Sequence, residues 1–343
     1  MKKILAAPLL ALVAACGQGG SDRGAAGQLK IVGSSTVYPF TTAVAEEFQR
    51  ANPGISVIVE STGTGAGLKL FCAGVGANTP DMTNASRRIK ASELEDCKKN
   101  GVNQVIEFPI GIDGLTVIQS ASAAPIKLSL RDLYAALAAR PFGKPQTAQT
   151  WKDVNPALPA TRIRVLGPPP TSGTRDSLNE LFIQKGCESD PAMKALKESN
   201  EDEYKDVCTK IREDGAFVEG GENDNLLVQK VAGDPAALGV LGYSFLEENS
   251  DKVRAVEING STPTTETITN LSYPGARKIF LYAKGEHLQA KPAIKEFIAA
   301  YARATGKGGL LEKRGLVPFG AADATAAQQQ ATSLTPLAAS DIE

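Results

Sequence analysis

Pro168-Pro169-Pro170-Thr171-Ser172-Gly173-Thr174-Arg175 is the stretch on which the reading of this chain turns. An apolar run, Ile163 to Leu166, precedes it and reads as a buried strand. Leu178, Leu181 and Phe182 follow at helical spacing. A strand that turns through Ser-Gly-Thr into a helix leaves free N–H groups at the helix start, beside two hydroxyls and a guanidinium, which makes it an anion cradle. Ser and Thr also cap helices that bind nothing, so the turn gains weight only from its repetition. Gly33-Ser34-Ser35-Thr36 follows the strand-like Leu29 to Val32 and opens a helix reaching about Gln49. Ser61-Thr62-Gly63-Thr64-Gly65-Ala66-Gly67 follows Ile55 to Val59 and opens another helix at Leu68 to Phe71. Three hydroxyl-rich turns, each after a strand, can converge on one small oxyanion.

The 343 residues are enough for two lobes, each with its own core. The 37 Lys+Arg balance the 38 Asp+Glu, so there is no overall field to draw in nucleic acid or an anionic membrane. An anion must therefore be held by local geometry. Met1-Lys2-Lys3 followed by the apolar Ile4 to Ala15 reads as a signal peptide (1–15). Val13-Ala14-Ala15-Cys16 resembles a bacterial lipobox, with Cys16 lipidated and 16–27 as a flexible tether; ordinary cleavage nearby is the alternative. Export leaves Cys72, Cys97, Cys187 and Cys208 as disulfide candidates in an oxidising compartment. Of three possible pairings, nearest neighbours close loops of about 20 to 25 residues. No cysteine pair has metal-site spacing and the single histidine, His287, stands apart, so neither a metal nor a cofactor is expected. His287 reads as exposed and inert, Trp151, Tyr38 and Phe40 as packing, and Glu222 to Asn225 as a helix cap.

Elsewhere strands and helices alternate. Gln104 to Ile110 and Leu115 to Ile118 read as separate strands broken at Gly111 and Asp113-Gly114. Further helices are expected at Leu130 to Ala139 and Lys291 to Thr305, with a loose Ala/Gln/Thr-rich tail at 321–343. Alternation of this kind argues for open α/β sheets with ligands at the carboxyl ends of the strands, where all three turns lie.

Gly33 to Phe40, Gly63 to Gly67, Asn84-Ala85-Ser86-Arg87 and Thr171 to Arg175, in this order, resemble the substrate-binding protein of the ABC phosphate importer, in its Gly-Ser-Ser-Thr branch. The resemblance implies a two-lobed periplasmic-binding-protein fold (type II): two open sheets flanked by helices, with a ligand cleft between lobes. Lobe 1 would be 28–113 and 246–320 and lobe 2 would be 114–245, with crossings near 111–116 and 242–247. Carried over residue by residue, it places phosphate contacts at Ser35, Thr36 and the N–H of Val37, at Thr64 and Gly65, at Ser86 and Arg87, and at Ser172, Gly173 and Thr174, with Arg175 beside them. It implies a periplasmic protein that delivers inorganic phosphate to a membrane ABC permease; a monomer is expected, anchored to the membrane only through its lipid if Cys16 is lipidated and soluble in the periplasm if it is not. Two departures stand out. The well-known form has an aspartate where this chain has Arg87, and an arginine where it has Pro168 to Pro170, so the positive charge would move to Arg87 or Arg175. Asp113, Asp176, Glu219 and Asp224 are candidate acceptors for the phosphate proton.

Rival readings are a binding protein for another oxyanion or phosphorylated ligand, an adhesin or sensor module on the same scaffold, and a phosphatase. With one histidine and no Gly-x-Ser-x-Gly elbow, a hydrolytic triad has no obvious parts.

Overall fold

The computed structural model describes residues 27–342 other than 222; the signal segment, Cys16 and Glu222 lie outside the described residues. The strands are β1 (Gln28–Gly33), β2 (Ser56–Ser61), β3 (Met82–Ala85), β4 (Val105–Ser120), β5 (Lys127–Leu128), β6 (Val165–Gly167), β7 (Phe217–Glu219), β8 (Leu238–Gly242), β9 (Val253–Ala255), β10 (Glu257–Ile258) and β11 (Ala276–Lys284). Nine form one sheet in the order β2-β1-β3-β11-β4-β8-β6-β7, with β9 also on β4, while β5 and β10 pair separately. β1 runs parallel to β2 and β3, and β6 runs parallel to β7 and β8; β4 and β11 are antiparallel to their neighbours.

β4 is the spine. Its first part, Val105 to Gly114, pairs with β11, and its second, Leu115 to Gln119, pairs with β8. Around the first part lies lobe 1, built on both faces of the sheet. Ile279, Leu281 and Ala283 of β11 point into one core and Phe280 and Tyr282 into the other, the two-residue alternation of a strand buried on both sides. The first core is closed by helix α1 (Tyr38–Ala51) and a later helix, Ala293–Ala304; the second by α2 (Thr64–Phe71) and α3 (Ala91–Lys99). Lobe 2 has one core, from Ile112 and Leu115 to Tyr273, which takes in Trp151 and the Cys187–Cys208 disulfide. Both disulfides join nearest neighbours, Cys72 with Cys97 and Cys187 with Cys208.

The structure differs from the sequence reading in three places. Gly111 and Gly114 do not break β4. A side chain at Gly111 would meet Leu316 at 2.7 Å, and one at Gly114 would meet Tyr243 at 3.1 Å, so these glycines permit close approach in a continuous strand. The second crossing is not at 242–247, where β8 simply turns into the helix Tyr243–Glu248 inside lobe 2. Residues 246–275 belong to lobe 2: Val253 pairs with Ser120, and Val256, Ile258, Ile268 and Tyr273 fill its core. The chain returns to lobe 1 only with β11. A third pass follows, because Ile112 and Val317 exchange backbone hydrogen bonds of 2.9 and 3.1 Å. Finally, the tail is structured. Ala321–Ser333 is a helix with Ala327 buried, Gln328 donates to the Ala302 carbonyl at 2.8 Å, and the Leu337 amide donates to Val105 at 2.7 Å. The Ala bias that suggests looseness is also strong helix propensity, and packing on lobe 1 stabilises it.

Candidate functional site

The lobes meet along a polar seam. From lobe 1 comes the Gly33 to Thr36 turn that opens α1, whose first turn carries Pro39, where a missing N–H costs nothing. From lobe 2, past the core helices α4 (Leu130–Leu137) and α5 (Trp151–Val154) and strand β6, comes helix α6 (Gly173–Ser177). Ser172 caps α6, its hydroxyl accepting from the Thr174 amide at 3.2 Å. The helical run then passes through a π-helical turn, Leu178–Ile183. The two turns touch. The Thr36 hydroxyl donates to the Gly173 carbonyl at 3.1 Å, Ser35 donates to Asp176, and a Cβ on Gly173 would fall 2.5 Å from the Ser35 carbonyl oxygen. Glycine is therefore required at 173 by the closeness of the opposite backbone.

Thr64, the first residue of α2, hydrogen-bonds the Ser86 hydroxyl at 2.9 Å and accepts from the Ser86 amide at 3.1 Å; Ser86 in turn donates to Glu180 Oε2 at 3.1 Å. All four motifs thus reach the seam, three of them through Ser35, Thr36, Ser86 and Gly173, and Thr64 through Ser86. Val37 is fully buried and its amide turns back to Ser34 Oγ at 3.4 Å; Gly65 is exposed with open space around it.

The two arginines singled out in the sequence face other partners. Arg87 forms a two-bond fork with Glu93 of its own lobe, at 2.8 and 2.9 Å, and this pairing raises its already high pKa. Glu93 also accepts from the Lys90 amide at the start of α3, so one carboxylate both caps the helix and holds Arg87. Arg175 donates to the Pro168 carbonyl at 2.9 Å and lies 4.6 Å over the Phe217 ring, within lobe 2.

The guanidinium at the centre is Arg277, the second residue of β11, at the lobe junction. Its Nε donates to Asp113 Oδ2 at 3.1 Å, Nη1 pairs with Glu180, and Nη2 donates to Ser177 Oγ at 2.9 Å and Thr36 Oγ1 at 3.2 Å. The side chain is 12% exposed. Ser177 closes the ring by donating to Asp113 at 2.8 Å. Arg277, Ser177 and Glu180 escape sequence reasoning; the only local trace of Arg277 is a charge inside an apolar strand. Of the four acceptor candidates, Asp113 and Asp176 are in the seam, Asp224 lines the adjoining cavity, and Glu219 is exposed at the end of β7. Burial, and then the nearby Glu180 charge, push the Asp176 carboxyl above its ordinary value.

Two cavities flank the seam. One, of about 520 Å³, is lined by Ser35, Thr36, Asp113, Ser172 and Thr174, with Tyr38 at its rim rather than packed inside. The other, of about 650 Å³, is lined by Ser86, Arg87, Glu180 and Arg277. His287 is far from exposed: it is buried, with Nδ1 2.7 Å from Asp81 Oδ1. Asn223 caps the helix Asp224–Ala232, accepting from the Leu226 amide at 3.2 Å.

Two lobes strung on shared strands, with helix starts and hydroxyls facing each other across the junction, define a two-lobed binding protein. The chain belongs to the PBP superfamily, whose domain matches residues 20–303. It is 34% identical over 307 residues to Protein SphX of Synechococcus elongatus, covering 87% of this chain and 79% of that one. It is 31% identical to the phosphate-binding protein PstS of Staphylococcus saprophyticus, covering 86% and 83%. Among solved structures it resembles a possible phosphate-binding protein from Planctomyces limnophilus, with a TM-score of 0.71, 29% identity and coverage of 90% and 98%. The family and these relatives are binding proteins.

Proposed function

We propose that this chain captures inorganic phosphate outside the cytoplasm and presents it to a membrane ABC permease. The observation that carries the reading is the continuous seam: hydroxyls from turns of both lobes, Thr64, Ser86, Thr36 and Ser177, are joined through Glu180 and Arg277. Hydroxyl and amide donors hold an oxyanion without adding net charge. Each bond to a charged partner contributes roughly 1.5 to 3 kcal/mol, so half a dozen reach micromolar affinity after the cost of association. The naming of relatives such as PstS for phosphate supports that choice of oxyanion. On this reading Ser35, Thr36, Thr64, Ser86, Ser172 and Thr174 contact the ligand. Arg277 supplies the positive charge that the sequence suggests for Arg87 or Arg175. The lobes part to admit the anion and close by hinge motion at the junction. The chain acts as a monomer anchored through lipidated Cys16.

Calorimetric titration with inorganic phosphate tests the proposal. The wild type is expected to bind at micromolar affinity or tighter. Gly173→Val, whose side chain would strike the Ser35 carbonyl, should weaken binding at least about tenfold while leaving each lobe folded. Absence of heat at millimolar phosphate, or unchanged affinity in the variant, would refute it.

A further inference from the structure

The seam gathers three carboxylates where the oxyanion reading needs room for a guest anion. Asp113, Asp176 and Glu180 are gathered around one guanidinium, Arg277, whose hydrogen bonds reach Asp113 and Glu180 while Ser35 ties down Asp176. Each of these carboxylates raises the cost of admitting an anion, and that cost falls if one of them yields its place. The three are not equally free. Asp113 is fixed from two sides by Arg277 and Ser177 and its side chain is 16% exposed. Glu180, in contrast, is 39% exposed and borders the cavity of about 650 Å³, so its carboxylate can rotate into solvent without loss of hydration. Its Oε2 also accepts from Ser86 of lobe 1 and from Arg277, two groups that the oxyanion reading assigns to the guest.

We propose that Glu180 is a built-in competitor and a specificity-determining residue: its carboxylate occupies the oxyanion position, and the guest must displace it from Ser86 and Arg277. This rests on the oxyanion-binding reading above and deepens it. A monovalent anion exchanges like for like and gains nothing at Arg277, whereas a dianionic tetrahedral oxyanion brings twice the charge. The site therefore favours dianions over chloride or nitrate, at some cost in affinity for every guest.

The test is calorimetry on Glu180→Gln, which keeps shape and removes the charge, and on Glu180→Ala, with phosphate, sulfate and nitrate. Thermal melts serve as the folding control. Removing the competing ion pair should tighten phosphate and sulfate alike, about fivefold or more, and bring nitrate into measurable range. A wild type that binds none of the anions while Glu180→Gln binds them would sink the phosphate reading and uphold the competitor. Loss of phosphate affinity with a gain for sulfate would mean that Glu180 receives the phosphate proton, and the proposal falls. It falls equally if both affinities are unchanged, or if neither protein binds any anion.

Discussion

Arg277 and Arg87 show what a residue's identity leaves open. Both are arginines beside turns of the site, and only the placement of a carboxylate separates their roles. Glu93, six residues on, claims Arg87 within its own lobe, whereas Arg277 projects from the junction strand and its fork reaches both lobes at once. His287 makes the same point. Asp81 is fully buried; burial alone would push its carboxyl up, but hydrogen bonds from His287, the Lys30 amide and Lys291 outweigh that and hold it below the ordinary carboxylate value. For a depressed carboxyl, the stabilisation is present above the unfolded value of about 3.9 and is lost as pH falls through the folded one. Asp81→Asn should accordingly lower stability by about 3 kcal/mol at neutral pH, because it leaves the largely buried Lys291 ammonium without its counter-ion. In denaturant titrations the gap to wild type should shrink in strong acid; a gap independent of pH would show that the charge of Asp81 contributes nothing.

At the scale of elements, the chain is built from units whose ends are fastened locally. Cys72–Cys97 ties the end of α2 to α3, and Cys187–Cys208 ties the helical run after α6 to the helix Glu201–Cys208, across separations of 25 and 21 residues. In the chain-entropy account each loop closure stabilises by roughly 3 kcal/mol. Cys187→Ala with Cys208→Ala should cost about that much in a urea melt, while wild type in reductant should lose the contributions of both bonds; no change in midpoint would contradict the account. Of the three hydroxyl turns, only the one at Ser172 caps its helix through a side chain; the helices at Val37 and Gly63 start without one. Ser172, Ser129 and Asn223 cap helices through their side chains. The strand breaks suggested by Gly111 and Gly114 fail for a reason the local pattern does not contain. Leu316 and Tyr243 arrive from far along the chain and need the room that a missing side chain leaves.

For the whole molecule, the junction is the feature on which the proposed function rests. β4, the start of β11 and the Leu316 to Phe319 segment cross it side by side, and the contacts that hold the lobes together there are the site's own: Thr36 on Gly173, Ser86 on Glu180, Ser35 on Asp176. Ligand occupancy and lobe closure should therefore be coupled. Small-angle scattering is expected to show a smaller radius of gyration at saturating phosphate for the wild type and none of that contraction for Gly173→Val. An equal radius with and without phosphate in the wild type would mean that capture involves no closure.

The sequence by itself determined what depends on neighbours along the chain. Strand and helix periods, the hydroxyl and glycine turns at strand ends and the helix caps are set among close neighbours, whereas the cysteine pairing was one of three that the sequence left open and the structure settled. Those same turns were enough to resemble a two-lobed oxyanion binder. Only the tertiary structure decided which charges share the seam. Arg277 and Thr36 are 241 residues apart, and Ser86 and Glu180 are 94 apart. It likewise moved residues 246–275 into lobe 2, buried His287 against Asp81 and packed the tail on lobe 1. Coulomb and hydrogen-bond energies act through space, and a side chain's partner across a lobe junction leaves no trace in the periodicity of its own strand.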